Sequence, residues 1–230
     1  LSAGFFITGT GTDVGKTVVT AGLARFFMKS GRSIVPVKPV QSGAVVLPDG
    51  SLDSPDGDVY RAAGAVWDIN RQCPYIFEPP TSPHLAARLA GVELDPAKIA
   101  TKVRECEKDG FLLVEGAGGI MVPLNEDASM LNLMKELGYP VILVVENKLG
   151  CINEALLSIA ALQQSGLDIS GLVMTAPNKP APEEFGIAEE NIRFIEKIAE
   201  VKVIASIPYI ENWDYNDPKC WEIVDKALDS

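Results

Sequence analysis

Short unbroken apolar runs alternate with longer stretches of mixed polarity along this chain. Runs of this kind mark strands buried on both faces of a parallel sheet, where period-2 alternation is lost. Five are plain: 4–8, 34–38, 111–115, 140–145 and 169–174, with a sixth at 201–205. Between them the pattern predicts helices over 17–29, 83–90, 95–108, 129–137, 152–165 and 184–199. Strand and helix in alternation predict right-handed βαβ units. The expected fold is therefore α/β, a doubly wound, mostly parallel sheet with helices on both faces and ligands at the strand C-terminal ends. The segment 39–57, rich in Gly, Ser, Pro and Asp, breaks the regularity and reads as a long loop, a feature that compact domains usually keep for function. No repeat or linker divides residues 1–230, so one domain is expected.

Composition narrows the partners. The chain has 230 residues, 47% hydrophobic, and a formal net charge of −11. That balance argues against nucleic acid, which needs basic groups to replace counterions, and against anionic membrane surfaces. No apolar stretch approaches the ~20 residues of a membrane span. Cys73, Cys106, Cys151 and Cys220 are scattered without metal-ligand spacing, and His84 is the only imidazole. A zinc site is therefore not expected, and a reducing, cytoplasmic setting is.

The chemistry begins at Gly9-Thr10-Gly11-Thr12-Asp13-Val14-Gly15-Lys16-Thr17, directly behind the first apolar run. Strand, Gly-rich turn and helix are the context of a phosphate-binding loop of the P-loop NTPase type. Amide N–H groups at the helix start would face phosphate oxygens, Lys16 would reach the terminal phosphates and Thr17 would hold Mg²⁺. The usual spacing requires Gly at position 10, where this chain has Thr10. Either the loop is longer by one residue, from Gly9, or Gly11 makes the turn. Further polar groups end other apolar runs. Lys38 closes 34–38 before Pro39-Val40-Gln41-Ser42-Gly43, and Glu115 closes 111–115 before Gly116-Ala117-Gly118-Gly119. A buried-strand Lys calls for an anion, and an acid at a strand tip suits Mg²⁺. Asp53, Asp56 and Asp58 are equal candidates for another metal ligand, with helix capping by Asp58 an alternative account. Lys148-Leu149-Gly150-Cys151-Ile152-Asn153 opens a helix and reads as a second anion site, fit for a small carboxylate.

These blocks, with Pro80-Thr81-Ser82-Pro83-His84, resemble the dethiobiotin synthetases over nearly the whole chain. The resemblance implies a cytoplasmic homodimer with its active site at the subunit interface. It would form the ureido ring of dethiobiotin from 7,8-diaminononanoate, CO₂ and ATP with Mg²⁺. It implies catalytic roles for Lys38, Lys16 and Thr12, and substrate contacts from Thr12, Lys38, Ser42, Gly150, Cys151 and Asn153, the last three across the interface. The implied nucleotide site is Asp13, Val14, Gly15, Lys16, Thr17, Val18, Asp58, Glu115, Gly116, Ala117, Gly118, Thr175, Pro208 and Tyr209, with Thr17, Asp58 and Glu115 on the metal. One position departs: the family usually has Asn-Asp where this chain has Thr175-Ala176. A hydroxyl cannot make the bidentate base contact of an amide, so weaker base discrimination is expected, with Asn178 the nearby replacement. Two rivals differ in class. A partition or septum-positioning ATPase would carry an additional Lys early in the loop, where Thr10, Gly11 and Thr12 stand, and a corrinoid amide ligase would need a glutaminase domain.

Overall fold

The computed structural model describes residues 2–179 and 186–229. Strands and helices follow in the order β1 (Gly4–Gly9), α1 (Lys16–Lys29), β2 (Ile34–Val37), β3 (Val40–Ser42), β4 (Val45–Val46), β5 (Leu52–Asp53), α2 (Pro55–Ala62), α3 (Ile69–Gln72), β6 (Tyr75–Phe77), α4 (Pro83–Leu89) and α5 (Pro96–Arg104). The second half runs β7 (Phe111–Gly119), α6 (Met130–Leu137), β8 (Val141–Glu146), α7 (Cys151–Gln164), β9 (Ile169–Thr175), α8 (Ile187–Ala199), β10 (Val203–Ile207) and α9 (Pro218–Leu228).

Six strands form the central sheet in the order β10-β9-β8-β1-β7-β2, every pair parallel. The unbroken apolar runs are explained by burial on both sides. In β1, Phe6 joins the core on one face and Ile7 the core on the other, and both are fully buried. The α/β class with helices on both faces is thus as expected. The predicted strand 201–205 lies two residues further on, at β10, and the predicted helix 95–108 stops at Arg104 before a 3₁₀ turn over Glu107–Asp109. Of the helix expected over 184–199, residues 184 and 185 fall outside the described residues.

The expected long loop over 39–57 is a correction. It contains β3, which pairs with β6, and the β4–β5 hairpin, and its end starts α2. Ser54 caps that helix by accepting from the Gly57 amide at 3.1 Å, and Pro55 occupies its first turn. Both are strong helix-start signals that the surrounding polar composition concealed. Near the C-terminus, α9 closes over α1. A Cβ at Gly22 would lie 2.7 Å from Val224, so the two helices approach at a residue without a side chain. Arg25 grips Asp225 through two hydrogen bonds of 3.0 and 2.9 Å beside that contact.

Candidate active site

The loop after β1 resolves the spacing question. Gly11 lacks a positive φ, and a Cβ there would meet only Val14, at 3.9 Å. Gly9 is the constrained residue, because its Cβ would lie 2.6 Å from Val14 and 3.3 Å from the Lys16 side chain. The turn itself is made by Asp13 (φ 58°) and Gly15 (φ 89°), which carry the left-handed backbone. Asp is among the few side-chain residues that tolerate it. The loop is therefore the longer form from Gly9, and Gly11 does not turn it.

Behind the loop a cavity of 360 Å³ is lined by Thr12, Asp13, Gly15, Lys16, Thr17, Val18, Lys38, Val40, Gln41, Ser42, Asp56, Glu115, Ala117 and Gly118. The sheet brings its charges together: β1 pairs with β7 so that Ile7 sits beside Glu115, and β2 borders the other edge of β7. Lys38 follows β2 and reaches Glu115 Oε1 at 2.7 Å and Asp56 Oδ2 at 2.6 Å. The Thr17 hydroxyl lies 3.0 Å from Asp56 Oδ1 and 2.9 Å from Glu115 Oε1. Tyr60 donates to the other Glu115 oxygen at 2.5 Å. Lys16 folds over the loop and donates to the Gly11 carbonyl at 2.8 Å.

These contacts set the protonation states. Burial, then repulsion from Lys38, lowers Lys16 to about 8. Burial also opposes the charge on Lys38, but Asp56 and Glu115 together outweigh it and raise its pKa above the ordinary lysine value. Asp56 is the mirror case: burial favours its acid form, and Lys38 overrides that to hold it below the usual carboxylate range. Burial and the adjacent Glu115 push Tyr60 well above the ordinary phenol, so its hydroxyl remains a donor.

The structure places the remaining sequence candidates as follows. Asp58 is not in the cluster; its side chain, 43% exposed, pairs with Arg61 at 2.5 Å. Arg61 also holds Asp53, so of the acidic triplet only Asp56 lines the cavity. The resemblance gives Asp58 to the metal; in this geometry Asp56, and not Asp58, stands in the cavity against Thr17 and Lys38. Ser54 sets this arrangement, since its hydroxyl both caps α2 and donates to Gln41 Oε1 at 2.9 Å. Thr12 lines the charged cavity and also a neighbouring one of 490 Å³, bordered by Thr10, Gly11, Gly119–Pro123 and, from α7, Leu157, Ser158 and Ala161. Val14 and Gly116 are buried and do not line the charged cavity.

Gly150, Cys151 and Asn153 stand at the start of α7 and line neither cavity. The Cys151 amide, expected to face an anion, donates to the Lys148 carbonyl at 3.1 Å, and the residue is fully buried. Asn153 is exposed at that helix end. On the far side of Gly15, a smaller apolar cavity of 110 Å³ is lined by Val18, Thr175, Ala176, Pro177, Ile207, Pro208, Ile210 and Trp213; Tyr209 is not in its lining. The Thr175 hydroxyl is committed to the Val14 carbonyl at 2.7 Å, with the Val145 carbonyl at 3.2 Å, and so tethers the phosphate loop. Asn178 donates to Glu146 at 2.9 Å. Its side chain is thus tied to the end of β8, and Asn178 does not line this apolar cavity. Sequence reasoning missed Tyr60, Ile210 and Trp213, none of which falls in a recognisable motif.

Among the described residues no group of three or more His, Cys, Asp or Glu could hold a metal by itself, and no helix is long and apolar enough to cross a membrane. All four cysteines are free and buried.

Comparison with known proteins adds to this geometry. Residues 3–216 match a family model described as an AAA domain. The chain is 42% identical over 214 residues to the ATP-dependent dethiobiotin synthetase BioD of Anoxybacillus flavithermus, covering 92% of this chain and 94% of that one. It is 36% identical over 219 residues to the enzyme of the same name from Idiomarina loihiensis, covering 93% and 96%. Among solved structures, a ParA family ATPase from Chlorobium tepidum superposes with a TM-score of 0.55 at 11% identity, over 99% of this chain and 92% of that one. The cell division ATPase MinD of Pyrococcus furiosus gives 0.53 at 20% identity, over 98% and 89%. At such identities the structural likenesses carry the fold and nothing more.

Proposed function

The chain belongs to the dethiobiotin synthetase family, and from that premise we propose that its charged cavity drives ATP-dependent ureido-ring closure on 7,8-diaminononanoate. One observation carries the reading. Lys16 and Lys38 share a cavity with Thr17, Asp56 and Glu115, and Thr12 lines both this cavity and the one beside it. A phosphate-handling centre thereby adjoins a space for a second reactant across one loop.

In the proposed sequence a neutral amine of the substrate attacks CO₂ and gives a carbamate. A carbamate oxygen attacks the γ-phosphorus of ATP and expels ADP. The second amine then attacks the carbonyl carbon of the mixed anhydride, closing the ring and expelling phosphate. Negative charge would develop on the transferring phosphoryl group and on the carbamate, in the cavity that Lys16 and Lys38 line. Thr12 and Ser42 border the same space and would hold the carbamate end. Asn153, exposed at the start of α7, would bind the substrate carboxylate of a partner subunit in a homodimer. Holding that distant group orients the amines without covalent help.

The donor set fits Mg²⁺. Thr17, Asp56 and Glu115 offer hard oxygen ligands, and two carboxylates with a hydroxyl leave positions for phosphate oxygens and water, as that ion prefers. When bound, Mg²⁺ would neutralise charge on the β- and γ-phosphates. The apolar cavity beside Gly15 and Val18 would take the base. The whole unit acts as a single catalytic domain, in a cytoplasmic setting. The test is phosphate release that requires both diaminononanoate and bicarbonate. Hydrolysis of ATP indifferent to both would instead favour a nucleotide-switch ATPase.

A further inference from the structure

We propose that Tyr60 is a positioning residue that locks the Glu115 carboxylate in the orientation needed for metal binding. The proposal rests on the reading of Glu115 as a Mg²⁺ ligand. Glu115 divides its partners by oxygen. Oε1 meets Thr17 and Lys38, at 2.9 and 2.7 Å, and both line the cavity and can exchange partners with a phosphate or ion. Oε2 accepts only from Tyr60 among its described partners, at 2.5 Å, and Tyr60 does not line the cavity. The one anchor outside the cavity therefore fixes which oxygen faces into it.

The anchor is built to stay in place. Tyr60 and Glu115 are 0% and 1% exposed, so their hydrogen bond is shielded from bulk solvent. The Trp67 ring lies 5.1 Å from the Tyr60 ring, at 60°, and packs against it. Trp67 fits only because position 57 is Gly: a Cβ there would lie 2.3 Å from the indole nitrogen. Tyr60 also stands four residues after Asp56, which puts the two on one face of α2. A single helix thus delivers a carboxylate to Lys38 and a hydrogen-bond donor to Glu115. Loss of the hydroxyl would free Glu115 to rotate and leave a buried carboxylate oxygen without its partner, the usual effect of removing a group that orients a metal ligand.

The experiment measures Mn²⁺ binding, by electron paramagnetic resonance in the presence of ADP, to the full chain and to Tyr60→Phe, Trp67→Phe, Glu115→Ala and Tyr60→Phe/Glu115→Ala. ADP affinity in EDTA reports whether each variant is folded. Tyr60→Phe is expected to raise the Mn²⁺ Kd by roughly 10-fold, the scale for partners of metal ligands, with metal-free ADP affinity unchanged. Trp67→Phe keeps the hydroxyl and should change the Kd less than about twofold, and the double variant should bind no more weakly than Glu115→Ala. An unchanged Kd in Tyr60→Phe, beside a clear loss in Glu115→Ala, overturns the proposal and leaves the site reading intact. Equal losses in Tyr60→Phe and Trp67→Phe, or additive losses in the double variant, overturn it as well, by pointing to packing. An unchanged Kd in Glu115→Ala overturns the site reading, and the proposal with it.

Discussion

Asp56→Asn and Asp58→Asn, made side by side, separate the two carboxylates that sequence leaves equivalent. Asp56→Asn keeps the side-chain volume and removes one of the two acids that hold Lys38. Breaking a fully buried pair costs ~3–5 kcal/mol. Here Lys38 keeps Glu115 at 2.7 Å, and the Asp56 side chain is 20% exposed. The expected loss is therefore about half the lower figure, ~1.5 kcal/mol. For a chain of this length that lowers Tm by ~3–6 °C. Asp58 contributes through an exposed pair with Arg61, three residues along the same helix. Such pairs are worth ~0.3–0.5 kcal/mol, so Asp58→Asn should shift Tm by no more than ~1–2 °C. In phosphate release at saturating ATP, Asp56→Asn should lose ~10–100-fold, the scale for groups that organise a metal site, and Asp58→Asn less than threefold. Calorimetric melts and a coupled phosphate assay read both effects. A large loss of turnover in Asp58→Asn with Asp56→Asn near parental would refute the reasoning and restore Asp58 to the metal.

Lys38→Ala should reduce ring closure by at least ~10²-fold while ATP affinity stays within a few-fold, because in its proposed role Lys38 would act on charge that develops during the reaction; loss of ATP affinity with turnover preserved would contradict that role. Lys16, lowered to about 8 from an ordinary 10.5, binds fewer protons folded than unfolded between those values, so stability should rise with pH across that window, as melts from pH 7.5 to 10 will read. Phosphate oxygens beside Lys16 restore its proton, so ATP binding near pH 9 should take up a proton. Titration calorimetry in two buffers of different ionisation enthalpy detects this, and identical heats in both would count against it. Base discrimination should be weak, since the Thr175 hydroxyl serves the Val14 carbonyl and Asn178 serves Glu146; initial rates with ATP, CTP and GTP check this, a strict requirement for ATP being the contrary result.

Sequence by itself determined what depends on neighbours along the chain. Runs such as Phe111–Val114 announce strands buried on both faces, and the Gly9–Thr17 loop announces a phosphate site, because periodicity and turn chemistry are local. Lys38 and Glu115 were legible for the same reason, as polar residues closing apolar runs in a fold that binds ligands at strand ends, although β7 itself continues past Glu115 to Gly119. The site's remaining members were decided by tertiary structure. Residues two apart on an α-helix point ~200° from each other, so of Asp56 and Asp58 only one can face the cavity. Which one depends on how α2 is phased against the sheet, and that phase is set by the Ser54 cap and its bond to Gln41, 13 residues away. Tyr60 meets Glu115 across 55 residues and Thr175 tethers Val14 across 161. No local pattern encodes such contacts, because they exist only once the sheet has brought the ends of β1, β7 and β9 to one edge.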